Sequence, residues 1–565
     1  MKKVFIKIAC SFFIILLSAI IACNPRNKTP SNESILDLNL KQGEIAVCGP
    51  ADKQFGLVGF GTSCSPKVQK DFDLAMALLH SFEYDEAEKV FAKVIEMEPD
   101  CGMAYWGVAM SNYHPLWTPP TLLELEKGTK AILIARSIKQ MSKRESAYID
   151  AIAGFYEDWE KVDHHARSVR FEKGMEKVYR DFPEDNEAAI FYALSLVASA
   201  SPADKSFKNQ KLAGSLLKDL YSKQPNHPGI VHYIIHAYDY PQLAALALPA
   251  AKEYSSIAPS SAHALHMPSH IFIRLGLWQE SINSNLASIS SAQCYAEQMK
   301  MKGHWDEEVH GLDYLVYAYL QKGENIHAKS YCDYLDSIKE VEPVNFKVAY
   351  AFAAVPSRYV LENQLWDDAA NLKVWEGFPW KGYPWQRAII HFTRLLGSVH
   401  TGQLNAARIE LKTLYSLHDT LENQKDVYKA DQVLIQIKAS QAWLLLKEGK
   451  QEDALKMMRT AADMESKTQK HPVTPGEVLP ASELLGDMLL EINRPTEALQ
   501  AYEVDLKQHP KRFNGLYGAG QSAKQSNEID KAAYYFQQLI AIAPNSNRDE
   551  LKVAKAFLEK NKLGI

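Results

Sequence analysis

Four histidines stand as two pairs spaced four apart: His232 and His236 in His-Tyr-Ile-Ile-His, His266 and His270 in His-Met-Pro-Ser-His. On a helix such pairs share a face one turn apart, roughly 6 Å between them. Neutral imidazoles in that arrangement clamp a metal ion, and zinc, copper and iron all accept them. Each member of the second pair follows its counterpart by 34 residues, the length of a helix-turn-helix repeat. A repeat array would set the two faces side by side. Type and spacing together predict four imidazoles turned into one groove.

The elements that must position them recur along the chain. Gly486, Ala498, Tyr502 and Pro510 are echoed 34 residues later by Gly520, Ala532, Phe536 and Pro544. Glycine or alanine lets two helices approach closely, the aromatic fills the gap between them, and proline stops the second helix. Ala75, Ala87, Phe91 and Pro99 fit the same frame, and Gly102 opens the next unit with Ala104-Tyr105-Trp106-Gly107. Weaker units end at Pro183, Pro225 and Pro259, and others carry Ala328, Ala369, Ala407 and Ala454 in their second helix. This is the pattern of the tetratricopeptide repeat. It predicts an all-α, right-handed helical solenoid in two superhelical segments, residues 67–340 with the histidine-rich groove and residues 341–565. Glu342-Pro343 and the Pro379–Pro384 cluster mark a break in curvature between 340 and 385. An insert over Gln293–Glu308 carries His304 and Trp305, and His304 is expected to be dispensable. Gly56, Gly59 and Gly61 precede no strand-to-helix unit and make no phosphate loop.

Numbering each unit from its closing proline sends a defined set to the concave surface. It comprises His232, His236 and Asp239; His263, His266, His270 and Arg274; His310, Asp313 and Tyr317; and, upstream, Trp106, His114 and Glu187. His232, His236, His266 and His270 are the expected inner shell of a transition metal. His310, Asp239 and Asp313 are further ligands or supports, since a carboxylate on a ligating imidazole is a usual second-shell device. The competing reading is a polar, metal-free groove whose histidines bond backbone or a peptide. Trp106 and His114 are either a stacking platform for a sugar or peptide or part of the core. Arg274 holds an anionic group or a neighbouring acid. Pro268 either kinks its helix, rotating His266 away from His270, or sits in a first turn where it is tolerated. The zincin motif is absent, and no Ser or Cys nucleophile stands beside a base.

The histidine runs also resemble those of a family of bacterial tetratricopeptide proteins. The matching stretches are His227-Pro228-Gly229, His232 through Asp239, and His263-Ala264-Leu265-His266-Met267-Pro268-Ser269-His270-Ile271-Phe272. Ala104–Gly107 and His310–Tyr317 match as well. The resemblance spans roughly residues 60–335 and implies the helical-repeat fold without implying a particular reaction.

The rest of the chain bears on its location. Lys2, Lys3 and Lys7 precede an apolar run from Ile8 to Ala22, and Ser18-Ala19-Ile20-Ile21-Ala22-Cys23 is similar to a bacterial lipobox. Residues 1–22 are therefore expected to be a lipoprotein signal peptide. Cys23 would be the lipidated residue and 23–66 a tether and leader, facing the periplasm in the cell envelope. The alternative is an ordinary N-terminal membrane anchor, for which the run is short. Five cysteines remain besides Cys10 and Cys23, so at least one is unpaired. Cys64 and Cys101 are candidate neighbours, and Cys332 is a candidate core thiol. A net charge of −5 argues against nucleic acid. Two function classes follow: a metal-dependent or metal-handling protein, catalytic or not, and a scaffold holding a peptide, glycan or protein partner. Lipoproteins that capture glycans carry long loops between degenerate repeats, which this chain lacks.

Overall fold

The computed structural model describes residues 29–50, 54–116, 118–201 and 204–562. The expected signal peptide and Cys23 lie outside the described residues. From Gln69 onward the chain is a succession of antiparallel helix pairs, beginning with Gln69–His80 and Tyr84–Met97 and ending with Phe513–Gln525, Ile529–Ile542 and a final helix Asp549–Lys560. The array is all-helical apart from two short parallel strands, β1 (His304–Trp305) and β2 (Val341–Glu342). The expected insert is absorbed by a long helix, Trp278–Gln298, followed by β1. No helix among the described residues is long and apolar enough to cross a membrane.

The small–aromatic echo acts as a packing lock. A Cβ on Gly486 would stand 2.7 Å from the Tyr502 ring, one on Gly520 2.5 Å from Phe536, and one on Gly107 2.4 Å from Phe91. Helix pairs thus close at the repeat spacing because the glycine leaves room for the ring. Ala87, Ala328, Ala369, Ala407, Ala454, Ala498 and Ala532 are all fully buried between helices.

The array does not leave its groove open. Residues 468–480, between helices Gln451–Lys467 and Ala481–Glu491, lie against the middle repeats. Tyr314 Oη donates to Val473 O at 3.0 Å, and Gly476 O accepts from Tyr350 Oη at 2.9 Å and Arg358 Nη2 at 2.8 Å. Gly476 has φ +149°, a backbone conformation that glycine alone adopts readily. Farther along, Arg512 is fully buried and clasps three elements. It donates to Glu483 Oε2 at 2.9 Å, Glu362 Oε1 at 2.7 Å and Tyr317 Oη at 3.1 Å. Phe513 N donates to Gln321 Oε1 at 2.9 Å and Trp278 Nε1 to Lys511 O at 2.8 Å. Across the 340/341 boundary the helices Asp306–Gln321 and Phe346–Glu362 also pack directly, with Arg358 ion-paired to Asp313.

Two disulfides tie the leader to the array, Cys64–Cys101 and Cys48–Cys294. The first joins the expected neighbours. The second fixes the leader to a helix 246 residues away. Cys332 is a half-buried free thiol whose pKa burial pushes up to about 12.

Candidate metal centre

Four helices bring six histidines together as two triads, His232–His236–His263 and His266–His270–His310. All six are buried. His232 and His236 project from Pro228–Tyr238, where Pro228 starts the helix without losing a bond. His310 comes from Asp306–Gln321. The second run is interrupted: one helix covers Ala262–His266, Met267 caps it, and Pro268 opens the next helix at its first turn. Both alternatives for Pro268 are thus realised in part, since the break is real and the proline occupies a tolerated position. His266 and His270 nevertheless converge, with Nε2 atoms 3.1 Å apart. The break places His270 on the following helix, while His263, on the same short helix as His266, falls in the neighbouring triad.

In the first triad, His232 Nε2 lies 3.0 Å from His236 Nε2 and 3.2 Å from His263 Nε2. Its Nδ1–H donates to the backbone oxygen of His80 at 2.6 Å. That bond fixes the tautomer and leaves the Nε2 lone pair facing two imidazole nitrogens at once, so one proton cannot satisfy both contacts. In the second triad, His266 Nδ1–H donates to Asn285 Oδ1 at 2.7 Å, while Asn285 Nδ2 donates to Ser281 O at 2.7 Å. His270 Nδ1–H donates to Asp239 Oδ2 at 3.1 Å. Each of these three rings is pinned from behind by an acceptor and turns its Nε2 lone pair inward, the outer-shell arrangement of metal-ligating histidines. Metal–nitrogen bonds of about 2.0–2.1 Å set neighbouring ligand nitrogens roughly 3.3–3.6 Å apart, so small ring shifts would complete either triad.

Burial holds His232, His236, His263, His266 and His310 well below the usual imidazole pKa. Burial also lowers His270, against the pull of Asp239. The rings are therefore neutral, the ligating form. A small cavity separates the triads. It is lined by His236 and His263 on one side, His270 and His310 on the other, with Met267, Glu307 and Lys347, and is closed by Pro472 and Val473.

The other predicted residues fall in distinct places. Asp239 is a support: besides His270 it takes Arg274 Nε at 2.9 Å and Lys470 Nζ at 3.0 Å. Asp313 is turned to Arg358. Tyr317 meets Arg512. Trp106 is core, stacked on Phe60. His114 bonds Glu124 at 3.1 Å. His304 bonds Glu308 at 2.8 Å, apart from the triads. Glu187 belongs to a third cluster, accepting from His80 Nε2 at 3.0 Å and His227 Nε2 at 2.8 Å. There each carboxylate oxygen takes one N–H, while His227 Nδ1 is buried without a hydrogen-bond partner. The cluster matters to the first triad because His80, held this way, presents the oxygen that pins His232. His80, Asn285 and Met267 were missed by sequence reasoning. Only the spacing of His263 from the second pair hinted that its helix served two sites.

The chain is an all-helical array that carries tetratricopeptide repeats. The pattern described as "Tetratricopeptide repeat" matches residues 484–547 and 72–101. Among solved structures the chain is similar to human IFIT1, in a dimer with PPP-AAAA, at 12% identity over 83% of this chain and 89% of that chain, with a TM-score of 0.35. It is similar to yeast Tom70 at 13% identity over 88% of this chain and 96% of that chain, also with a TM-score of 0.35. No curated protein matches its sequence at a significant level.

Proposed function

We propose that this protein binds transition-metal ions in its two histidine triads, as an exported lipoprotein held at the cell envelope through Cys23. One observation carries the metal reading: in each triad imidazole Nε2 atoms meet at 3.0–3.2 Å, and the far nitrogens of His232, His266 and His270 are held by outward acceptors. Packing alone has no reason to set lone pairs against one another in a dry interior. The all-imidazole donor set suits zinc, copper or iron and does not suit magnesium or calcium. Two disulfides favour an oxidising compartment, in keeping with export. Elemental analysis of the mature, full-length protein is the test. The reading requires stoichiometric metal that is diminished in His236→Ala and in His270→Ala at unchanged helicity. Metal-free protein that gains none on dialysis against zinc, copper or iron would end it.

A second reading, a scaffold for a peptide, glycan or protein partner, has its own observation. The C-terminal half keeps an open groove of about 860 Å³, lined by Tyr359, Trp366, His400, Trp443 and Tyr517 among others. Repeat arrays of this class commonly bind partners on such surfaces. The two readings are separable, because Trp366→Ala and Tyr517→Ala should weaken partner capture and leave metal content unchanged.

A further inference from the structure

The metal reading above leaves open which ion the triads take and why there are two. We infer that the triads form one dinuclear copper(I) centre whose shared cavity takes dioxygen. This rests on the proposal that the triads bind metal.

The first support is charge. The six imidazoles bring none. The nearest carboxylates carry no net surplus of negative charge: Asp239 faces Arg274 and Lys470, Asp306 and Glu307 share Lys347, and Asp313 pairs with Arg358, four carboxylates against four cations. Two divalent ions would leave four positive charges uncompensated in the interior, where desolvation is costly. Two monovalent ions halve that number. The second support is coordination. Each triad offers three nitrogens, a set that three-coordinate copper(I) accepts without a fourth ligand. The third is Met267, fully buried and lining the cavity between the triads. A thioether is a soft group that favours copper(I) over zinc or iron.

The cavity decides the ligand. His236 and His263 face His270 and His310 across it, so ions in the two triads would share it. Pro472 and Val473 also line it, and it has room for a group about the size of one water molecule. A peptide, sugar or nucleotide does not fit, which restricts the ligand to a molecule about as small as dioxygen. The electron count closes without another reagent. Each copper(I) gives one electron, dioxygen accepts both and becomes the peroxide dianion bound between two copper(II) ions, the O–O bond order falls from two to one, and no proton moves. Net charge is the same before and after, which suits a site that cannot draw in counter-ions. Glu307 adds a polar handle: its Oε2 is buried without a hydrogen-bond partner and Glu307 lines the cavity, where it can accept from a protonated or hydrated ligand.

The test uses full-length mature protein, stripped of metal and loaded anaerobically with copper(I). Elemental analysis gives the ions per chain, an oxygen electrode the uptake, and electron paramagnetic resonance the copper(II) spin count after oxygenation. The expected result is two coppers per chain, one dioxygen taken up per copper pair, and a spin count near zero because the two spins pair. His310→Ala, and His236→Ala in case the first variant misfolds, should each keep one copper, lose stoichiometric uptake and show about one full spin per chain on oxidation. Two coppers with two independent spins, or no uptake by the loaded protein, would overturn the dinuclear oxygen site while leaving metal binding intact. Stoichiometric zinc or iron with rejection of copper(I) would overturn the choice of ion. Failure to bind any metal would instead remove the underlying proposal.

Discussion

Replacing Asn285 with leucine separates metal affinity from general stability, because Asn285 touches one triad only. Its Oδ1 takes the Nδ1–H of His266 at 2.7 Å, its orientation is set by the bond from Nδ2 to Ser281 O, and both side chains are fully buried. Leucine keeps the volume and removes the acceptor. The orphaned Nδ1–H then costs about 1–3 kcal/mol, and the ring loses the bond that fixes its tautomer and aim. Loss of such an outer-shell partner typically weakens metal affinity about 10–100-fold, equivalent to roughly 1.4–2.7 kcal/mol, so the two magnitudes agree. The first triad supplies an internal control. Its corresponding anchor is the backbone oxygen of His80, which no substitution at position 285 alters. Competition titration with a chromogenic chelator should therefore show one site weakened about 10–100-fold and the other unchanged. Equal weakening of both sites, or no weakening of either, would refute the assignment of Asn285 as the anchor of His266.

Saturating metal at about 100 times its dissociation constant should raise the unfolding free energy by about 2.7 kcal/mol for each independent site, read as a rise in melting temperature that chelation reverses. Arg512→Met should destabilise by about 3–5 kcal/mol, because it leaves buried Glu362 and Glu483 without their counter-ion; equilibrium denaturation measures this, and limited proteolysis should find residues 468–480 newly cleavable. Burial would raise the Glu124 pKa, but bonds from His114 and Thr121 hold it down to about 2. Its contribution is therefore present above the ordinary carboxylate range and lost as pH falls through that range towards 2. Glu124→Gln should be less stable than the parent at neutral pH, and the gap between their denaturation midpoints should close towards pH 2.

Local features carried most of what the sequence could reveal. The Gly486–Tyr502 and Gly520–Phe536 pairs were legible because the same side chains recur at a fixed spacing and make the same helix-to-helix contact. The i,i+4 histidines were legible for the same reason. What escaped depends on contacts with no periodicity. His263 and His266 share the short helix Ala262–His266 yet fall in different triads, whereas the repeat register put both on one concave surface. Asp313 was expected near metal because its register faces the groove, but its partner Arg358 lies on the next repeat and no spacing rule couples the two. The cover over the site comes from residues 468–480, far along the chain and without a repeat signature. Trp106 fits the groove register and sits in the core because Phe60, from the non-repeating leader, lies against it.

The cover at Pro472–Val473 also sets an order of events in biogenesis. Every histidine of the two triads precedes residue 311, and the segment that seals them is made long afterwards. A chain emerging N-terminus first can assemble its complete imidazole set while the site is still open to the surroundings. Once residues 468–480 pack down, an ion held in the triads would lie behind them and exchange more slowly. On the proposed metal reading, acquisition while the site is open would be a step in the maturation of the polypeptide, and the finished molecule would record the composition of the compartment at that moment.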